Sequence, residues 1–323
     1  MSVTTASFVL NGKGDSLRIR TETQQRVLDI AAANNYTPNQ LARNFRKGHT
    51  NTIGLIVPDI SDDYYAKIAH RLEITAEKNN YKVIFGSSNE NTKTESQLIN
   101  TFISRQTDGL IIASTQKNEK DLRKLRQIGL PFVLIDRYYP GLDYNHVIHD
   151  NAGGITTGVT ELTKRGCRKI AFINVDLDLE ALHQRRRGYV SALKNEGLPL
   201  KEELIRYVSF QGFREDMALA MDAIVKAKVD GVVFATHYLA MEGLKICKRR
   251  KYGPDKPLIA SYGDHESFDM LERPVIRINQ SVKAIGDTAI QMLVKAIRGR
   301  RENKVVETEQ IMLKTNLVPE KTD

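Results

Sequence analysis

Two groups of residues have types and spacings suited to binding chemistry. The first is the basic run Tyr36-Thr37-Pro38-Asn39-Gln40-Leu41-Ala42-Arg43-Asn44-Phe45-Arg46-Lys47. Thr37 suits a helix N-cap and Pro38 the first turn. Leu41 and Phe45, four apart, share one face, and Arg43, Arg46 and Lys47 add positive charge. A basic helix with an apolar wedge meets the needs of a minor-groove binder: the cations hold phosphates and the wedge opens a base step. An amphipathic linker helix packed on its neighbours would read the same way. The second group is acidic. Asp59, Asp136, Asp150 and Asp264 each follow a strand-like run. Carboxylates there serve acid–base catalysis, cap helices or hold polar ligands.

Enzyme signatures do not accompany those carboxylates. The sequence has no Gly-x-Gly-x-x-Gly, no Walker phosphate loop, no Gly-x-Ser-x-Gly and no His-Glu-x-x-His. Gly12-Lys13-Gly14 lacks both the Ser/Thr and the preceding strand of a phosphate loop. Capping or ligand binding is therefore the reading for the aspartates. Cys167 and Cys247 are the only cysteines and lack metal-ligand spacing, so neither a metal nor a cofactor is expected.

The elements that must position these residues fall into two textures. Up to about Thr50 the chain is polar and helical in pattern, with a turn at Asn11–Asp15 and a helix carrying Val27, Ile30 and Ala31 inward. From Asn51, short apolar runs alternate with amphipathic helices. Strands are predicted at Ile53–Val57, Lys82–Gly86, Gly109–Ala113, Phe132–Ile135, Lys169–Asn174, Gly231–Ala235 and Pro257–Ser261. Continuous apolar strands separated by helices mean parallel sheets covered on both faces. The run is long enough for two α/β lobes, with ligands at the strands' carboxyl ends in the cleft between them. The expected division is a 1–50 unit with a helix at 37–46, followed by a 51–323 ligand-binding region. Within that region the first lobe takes about 51–150 and 280–307, and the second about 151–279 and 308–323, including the last strand at Gln310–Lys314.

The chain has 323 residues and a formal net charge of +9, which points to a polyanionic partner. It contains no apolar run long enough to span a bilayer. Its start, Met-Ser-Val-Thr-Thr, carries no basic region followed by an apolar stretch, so a cytoplasmic protein is expected.

Ser2-Val3-Thr4-Thr5-Ala6-Ser7-Phe8-Val9-Leu10-Asn11-Gly12 resembles the recognition helix of the lactose-repressor (LacI/GalR) family of transcription factors. Tyr36–Asn39 with Ala42-Arg43 resembles that family's hinge helix. The likeness continues through Ile53–Asp59, Asp108–Ile111, Pro131–Arg137, Asp150-Asn151, Arg185–Tyr189 and Asp230–Ala235, so it covers nearly the whole chain. Thr4–Phe8, the Gly12–Arg18 turn, Phe234–Tyr238 and Tyr262–Glu266 are similar to fructose- and sucrose-type repressors. Where most of the family has Asn-Asp, this chain has His237-Tyr238, and where most has Asp-Asp it has Gly263-Asp264. The family's first helix would precede Ser2 and has no counterpart in the sequence.

The resemblance implies an α/β fold: a periplasmic-binding-protein-like pair of Rossmann-like lobes with parallel sheets. A partial all-α helix-turn-helix domain and a hinge helix would precede them. It implies a homodimeric repressor of carbohydrate genes that binds pseudo-palindromic operator DNA under control of a sugar or sugar phosphate. Val3, Thr4 and Phe8 would face base edges. Ser2, Thr5, Ser7 and Asn11 would position the backbone, and Arg18 would reach a phosphate. Asn39, Leu41, Ala42, Arg43 and Phe45 would act through the hinge, with Phe45 as the wedge. Arg185, in its Arg-x-x-Gly-Tyr setting, would fork onto vicinal hydroxyls or a phosphate. Asp62, Tyr64 and Tyr65 would line the cleft, Asp264 would accept sugar hydroxyls, and His237, Asp136, Asp150 and Gln280 would assist. The alternative is a sugar receptor without DNA-binding activity, its N-terminal helix being absent. A sugar-phosphate enzyme is a more distant rival, since no nucleophile, metal or nucleotide motif supports one.

Overall fold

A computed structural model of the chain describes residues 2–34, 36, 49–210, 212–250, 257–271 and 273–319. The chain divides into two compact units, Met1–Thr50 and Asn51–Asp323. The expected hinge helix at 37–46 lies outside the described residues.

The first unit contains α1 (Val3–Leu10) and α2 (Thr21–Ala33). Ser2 starts α1 by accepting a hydrogen bond from the Thr5 amide at 3.1 Å. Gly12, at φ +68°, makes the turn that leaves it. The Gln24 side chain, on α2, ties that turn down by donating to Asp15 Oδ1 (3.0 Å) and to the Ile19 carbonyl (2.8 Å). Among the described residues, Val9 and Val27 are the buried apolar side chains of this unit. Ile30, expected on the inner face of α2, is half exposed. One short helix packed on α2 covers a narrow stripe, and Val27 takes it.

The second unit is built from two six-stranded sheets. The first lobe contains β1 (Thr52–Val57), α3 (Asp63–Lys78), β2 (Lys82–Ser87), α4 (Thr92–Ser104), β3 (Gly109–Ile112), α5 (Glu119–Gln127), β4 (Phe132–Ile135) and β5 (His146–His149). The second contains α6 (Asn151–Lys164), β6 (Ile170–Val175), α7 (Glu180–Asn195), β7 (Ile205–Val208), α8 (Phe213–Lys226), β8 (Gly231–Phe234), α9 (His237–Arg249), β9 (Leu258–Tyr262) and β10 (Ile276–Asn279). The chain then returns through α10 (Val282–Arg301), which packs on α3 in the first lobe. Arg71 on α3 donates to both carboxylate oxygens of Asp287 on α10, at 2.7 and 2.5 Å. Two short strands end the described chain, β11 (Gln310–Leu313) and β12 (Asn316–Leu317).

Strand order is β11-β5-β4-β3-β1-β2 in the first sheet and β12-β10-β9-β8-β6-β7 in the second. All pairs are parallel except β10 with β12. Strands β3, β4, β5 and β8 are buried at every position, as sheets covered on both faces require. The last strands correct one expectation. Gln310–Leu313 was expected in the second lobe, but it adds in parallel to β5, with Gln310 opposite His146 and Leu313 opposite His149. Among the described residues of this tail, only Asn316–Leu317 reaches the second sheet. The crossing thus falls after Leu313, so 308–313 belongs to the first lobe. Strands β5, β7 and β10 were not anticipated. Polar residues interrupt each of them, as His146 and His149 interrupt β5.

Candidate functional site

In each sheet the order reverses beside the first strand of the lobe, β1 or β6. Loops leaving the carboxyl ends there separate and open a crevice. The two crevices face each other across a cavity of about 400 Å³, within the roughly 300–1,000 Å³ usual for small-molecule sites.

The first lobe supplies the acidic wall. Asp59 follows β1 and accepts from the Ser61 amide at 2.8 Å, and Asp62 caps α3 by accepting from the Tyr64 amide at 2.9 Å. Tyr64 and Tyr65 meet edge to face, their ring centroids 5.3 Å apart. The Tyr65 hydroxyl donates to Asp136 Oδ2 at 2.7 Å. Asp136 follows β4 in the left-handed region, at φ 62°. A non-glycine residue is held there only when its surroundings over-determine it, and such sites cluster around ligands. The next residue, Arg137, is buried and donates both terminal nitrogens to Glu90, Nη1 to Oε2 at 2.8 Å and Nη2 to Oε1 at 2.6 Å.

The second lobe supplies Arg185, His237 and Tyr262. Arg185 is buried on α7. Its Nε donates to Asn151 Oδ1 at 2.8 Å and its Nη1 to the Ala235 carbonyl at 2.9 Å. Thr236 caps α9, so the next residue, His237, begins that helix at the cleft. His237 Nε2 lies 3.9 Å from Asp62 Oδ1 across the lobes, and its ring stacks on His265 at 6.0 Å. Burial lowers the His237 pKa, against the pull of the Asp62 carboxylate. Burial likewise raises Asp62, against His237. Both groups are thereby pushed towards neutrality. His149, behind Tyr64, is lowered to about 4 by burial.

Polar contacts also join the lobes beside the cavity. Gln116, after β3, accepts at Oε1 from the Glu180 amide at the start of α7 (2.9 Å) and donates through Nε2 to the Tyr138 carbonyl. Gln184 Nε2 donates to the Tyr138 hydroxyl at 2.9 Å. Lys67 on α3 pairs with Glu266 at 3.3 Å.

Of the expected effector residues, Asp62, Tyr64, Tyr65, Asp136, Arg185, His237 and Gln280 line this one cavity. Asp150 and Asp264 are not among its lining residues. Asp150 caps α6 by accepting from the Gly153 amide at 2.8 Å, and Asp264 pairs with Arg277 at 3.3 Å. Glu90, Arg137, Phe210, Phe213 and Tyr238 line it without having been anticipated. Glu90 and Arg137 are 47 positions apart in sequence, and only the Asp-Arg pair after β4 hinted at them.

In the first unit, the expected DNA-contact residues Val3, Thr4, Thr5, Ser7 and Phe8 lie on α1, and Asn11 ends it. Val3 is 88% and Phe8 37% exposed, whereas Asn11 Nδ2 folds back on the Ser7 carbonyl at 2.6 Å. Arg18 occupies the turn before α2 in a left-handed conformation, at φ 53°. Asn39, Leu41, Ala42, Arg43 and Phe45 lie outside the described residues.

Residues 50–314 match the family model of periplasmic binding proteins and the sugar binding domain of the LacI family. The chain belongs to this family. It is 26% identical over 307 residues to the fructose operon regulatory protein of Vibrio cholerae, covering 94% of this chain and 93% of that protein. It is 28% identical over 304 residues to the sucrose operon repressor of Klebsiella pneumoniae, covering 93% and 90% respectively. In structure it is similar to the Cra transcriptional dual regulator of Pseudomonas putida, solved in complex with fructose 1-phosphate. That match has a TM-score of 0.72 at 25% identity and covers 84% of this chain and 98% of that one. No helix among the described residues is long and apolar enough to cross a membrane.

Proposed function

We propose that this chain is a DNA-binding transcriptional regulator, a repressor of carbohydrate genes, whose operator affinity is set by a sugar held between its two lobes. The observation that carries the reading is the interlobe cavity. Aromatic rings, carboxylates and a fixed guanidinium converge there, the mixture that grips the apolar faces and hydroxyls of a carbohydrate. The family membership and the operon-regulating relatives support the same conclusion. The regulator works in the cytoplasm as a homodimer on a pseudo-palindromic operator. Val3, Thr4 and Phe8 address base edges, the 37–46 segment enters the minor groove, and sugar binding closes the cleft and alters the pairing of the two hinges. A coupling of about 1–3 kcal/mol suffices, and no residue performs a reaction.

The test is to titrate the full chain into a labelled duplex from its own upstream region, reading anisotropy at two salt concentrations with and without sugars. Expected are salt-sensitive binding that exceeds binding to a scrambled duplex, and a sugar-dependent shift of the curve. Equal binding to both duplexes refutes operator recognition. Sugar binding without any DNA binding would favour the receptor reading.

A further inference from the structure

We infer that the cleft is selective for an uncharged polyhydroxylated ligand, a free sugar or polyol, and rejects phosphate monoesters. The inference rests on the cleft being the effector site, and narrows which carbohydrate it takes.

The charge balance of the cavity wall is the first argument. Asp59, Glu90 and Asp136 line it, against Arg137 and Arg185 as permanent cations, while burial pushes the facing pair Asp62 and His237 towards neutrality together. Burial pushes the His237 pKa below the usual 6.5, against the Asp62 carboxylate, so this imidazole strengthens the positive side of the wall little. A monoester carrying about two negative charges would enter a space already negative, where a low-dielectric wall strengthens the repulsion.

The second argument is that the chain occupies its own anion-binding groups. Both terminal nitrogens of Arg137 are committed to Glu90 in a paired fork, the geometry a phosphate would need. Arg185 has Nε on Asn151 and Nη1 on the Ala235 carbonyl. Helices α3 and α9 begin at the cleft, and their N-termini, natural seats for a phosphate, are capped by Asp62 and Thr236.

The third argument is a pair of donors with nothing to hold. Gln280 lines the cavity, is 7% exposed, and its Nε2 has no hydrogen-bond partner. A buried amide left unmatched is costly, so it marks where a ligand oxygen sits. The wall therefore offers two unpartnered donors, the Gln280 amide and the Tyr262 hydroxyl, beside several carboxylate acceptors. Hydroxyl groups accept from the donors and donate to the carboxylates. A phosphoryl group can only accept.

Isothermal titration of the full chain tests this with matched pairs: D-fructose and its 1-phosphate, D-glucose and its 6-phosphate, D-ribose and its 5-phosphate. Inorganic phosphate serves as a further probe, against equal ionic strength of sodium chloride. The expected result is binding of a free sugar roughly a hundredfold tighter than its ester, with no saturable heat from phosphate. Glu90→Gln, which loosens the Arg137 fork, and Asp59→Asn, which leaves that pair intact, should each improve ester binding roughly tenfold. Asp59→Asn keeps the test open if loss of the buried pair impairs folding. An ester that binds the wild type as tightly as its sugar, and loses affinity in Arg185→Ala, overturns the inference but leaves the sugar-responsive regulator standing. A cleft that takes neither sugars nor esters refutes that regulator as well.

Discussion

The guanidinium carbon of Arg185 lies 4.0 Å from the centroid of the Tyr262 ring. Arg185 comes from α7 and Tyr262 from the end of β9, so this contact joins two separate segments of the second lobe. Stacking on the ring and bonding to Asn151 and Ala235 fix the guanidinium in one plane before any ligand arrives. A side chain held this way loses little freedom on binding, which is the benefit of preorganisation.

Replacing Arg185 with Lys should therefore weaken sugar binding although the charge is kept. Lysine offers neither the planar fork nor the stacking face. Charged hydrogen bonds contribute about 1.5–3 kcal/mol each, so a loss of roughly ten- to a hundredfold in affinity is expected by calorimetry. Affinity equal to the wild type would remove Arg185 from the binding site.

Acid sensitivity should come in part from His149. Its folded pKa of about 4 lies below the unfolded value of 6.5 because burial disfavours the imidazolium. The unfolded chain thus binds this proton first as pH falls. The stabilising contribution is complete above pH 6.5 and is lost between 6.5 and 4, amounting to roughly 3 kcal/mol. Urea titrations at pH 7.5, 6 and 5 should show a shallower acid decline in His149→Gln than in the wild type. Parallel declines would assign the sensitivity elsewhere.

At Gly188 the backbone of α7 lies tight against the start of α6. A Cβ on it would sit 2.3 Å from the Ala152 carbonyl oxygen and 2.9 Å from the Ala152 Cα, both backbone atoms. The helices must separate to admit a methyl group, and Arg185 stands one turn away on α7. Gly188→Ala should lower unfolding stability by about 3 kcal/mol and weaken sugar binding together. A variant as stable as the wild type in urea would show that the crossing yields easily.

The two-lobed fold was legible because β1, β3, β4, β6 and β8 are apolar at nearly every position, a texture that only doubly covered sheets produce. The lobe of β11 was not legible. Gln310–Leu313 and Asn316–Leu317 are two residues apart with similar composition, and which sheet each joins depends on the free edge that β5 offers. The cleft was partly legible, since Asp136 comes directly after β4 and Asp62 and Tyr64 stand where the chain passes from β1 into α3. Asp264 also follows a strand, yet it pairs with Arg277, an interaction across 13 positions that no local pattern announces. The Arg137–Glu90 pair was hidden for the same reason. Residue type and strand position locate a loop at the crevice, but not whether its side chain faces ligand or another side chain.

Gln116 should govern how readily the lobes part. It stands at φ 58°, a conformation side chains seldom adopt, and its amide is used on both sides. Oε1 holds the Glu180 amide of the second lobe, and Nε2 holds the Tyr138 carbonyl of the first. Truncation to alanine removes both bonds at once and leaves the cavity lining untouched, because Gln116 does not contribute to that wall. Each such bond contributes about 0.5–1.5 kcal/mol, so Gln116→Ala should weaken sugar binding several-fold. The sugar-free chain should also expand in small-angle scattering and return to wild-type dimensions when saturated with sugar. The second observation separates closure from folding, since a misfolded variant would not contract on binding. Unchanged affinity together with unchanged dimensions would show that the Lys67–Glu266 and Tyr138–Gln184 contacts hold the lobes without it.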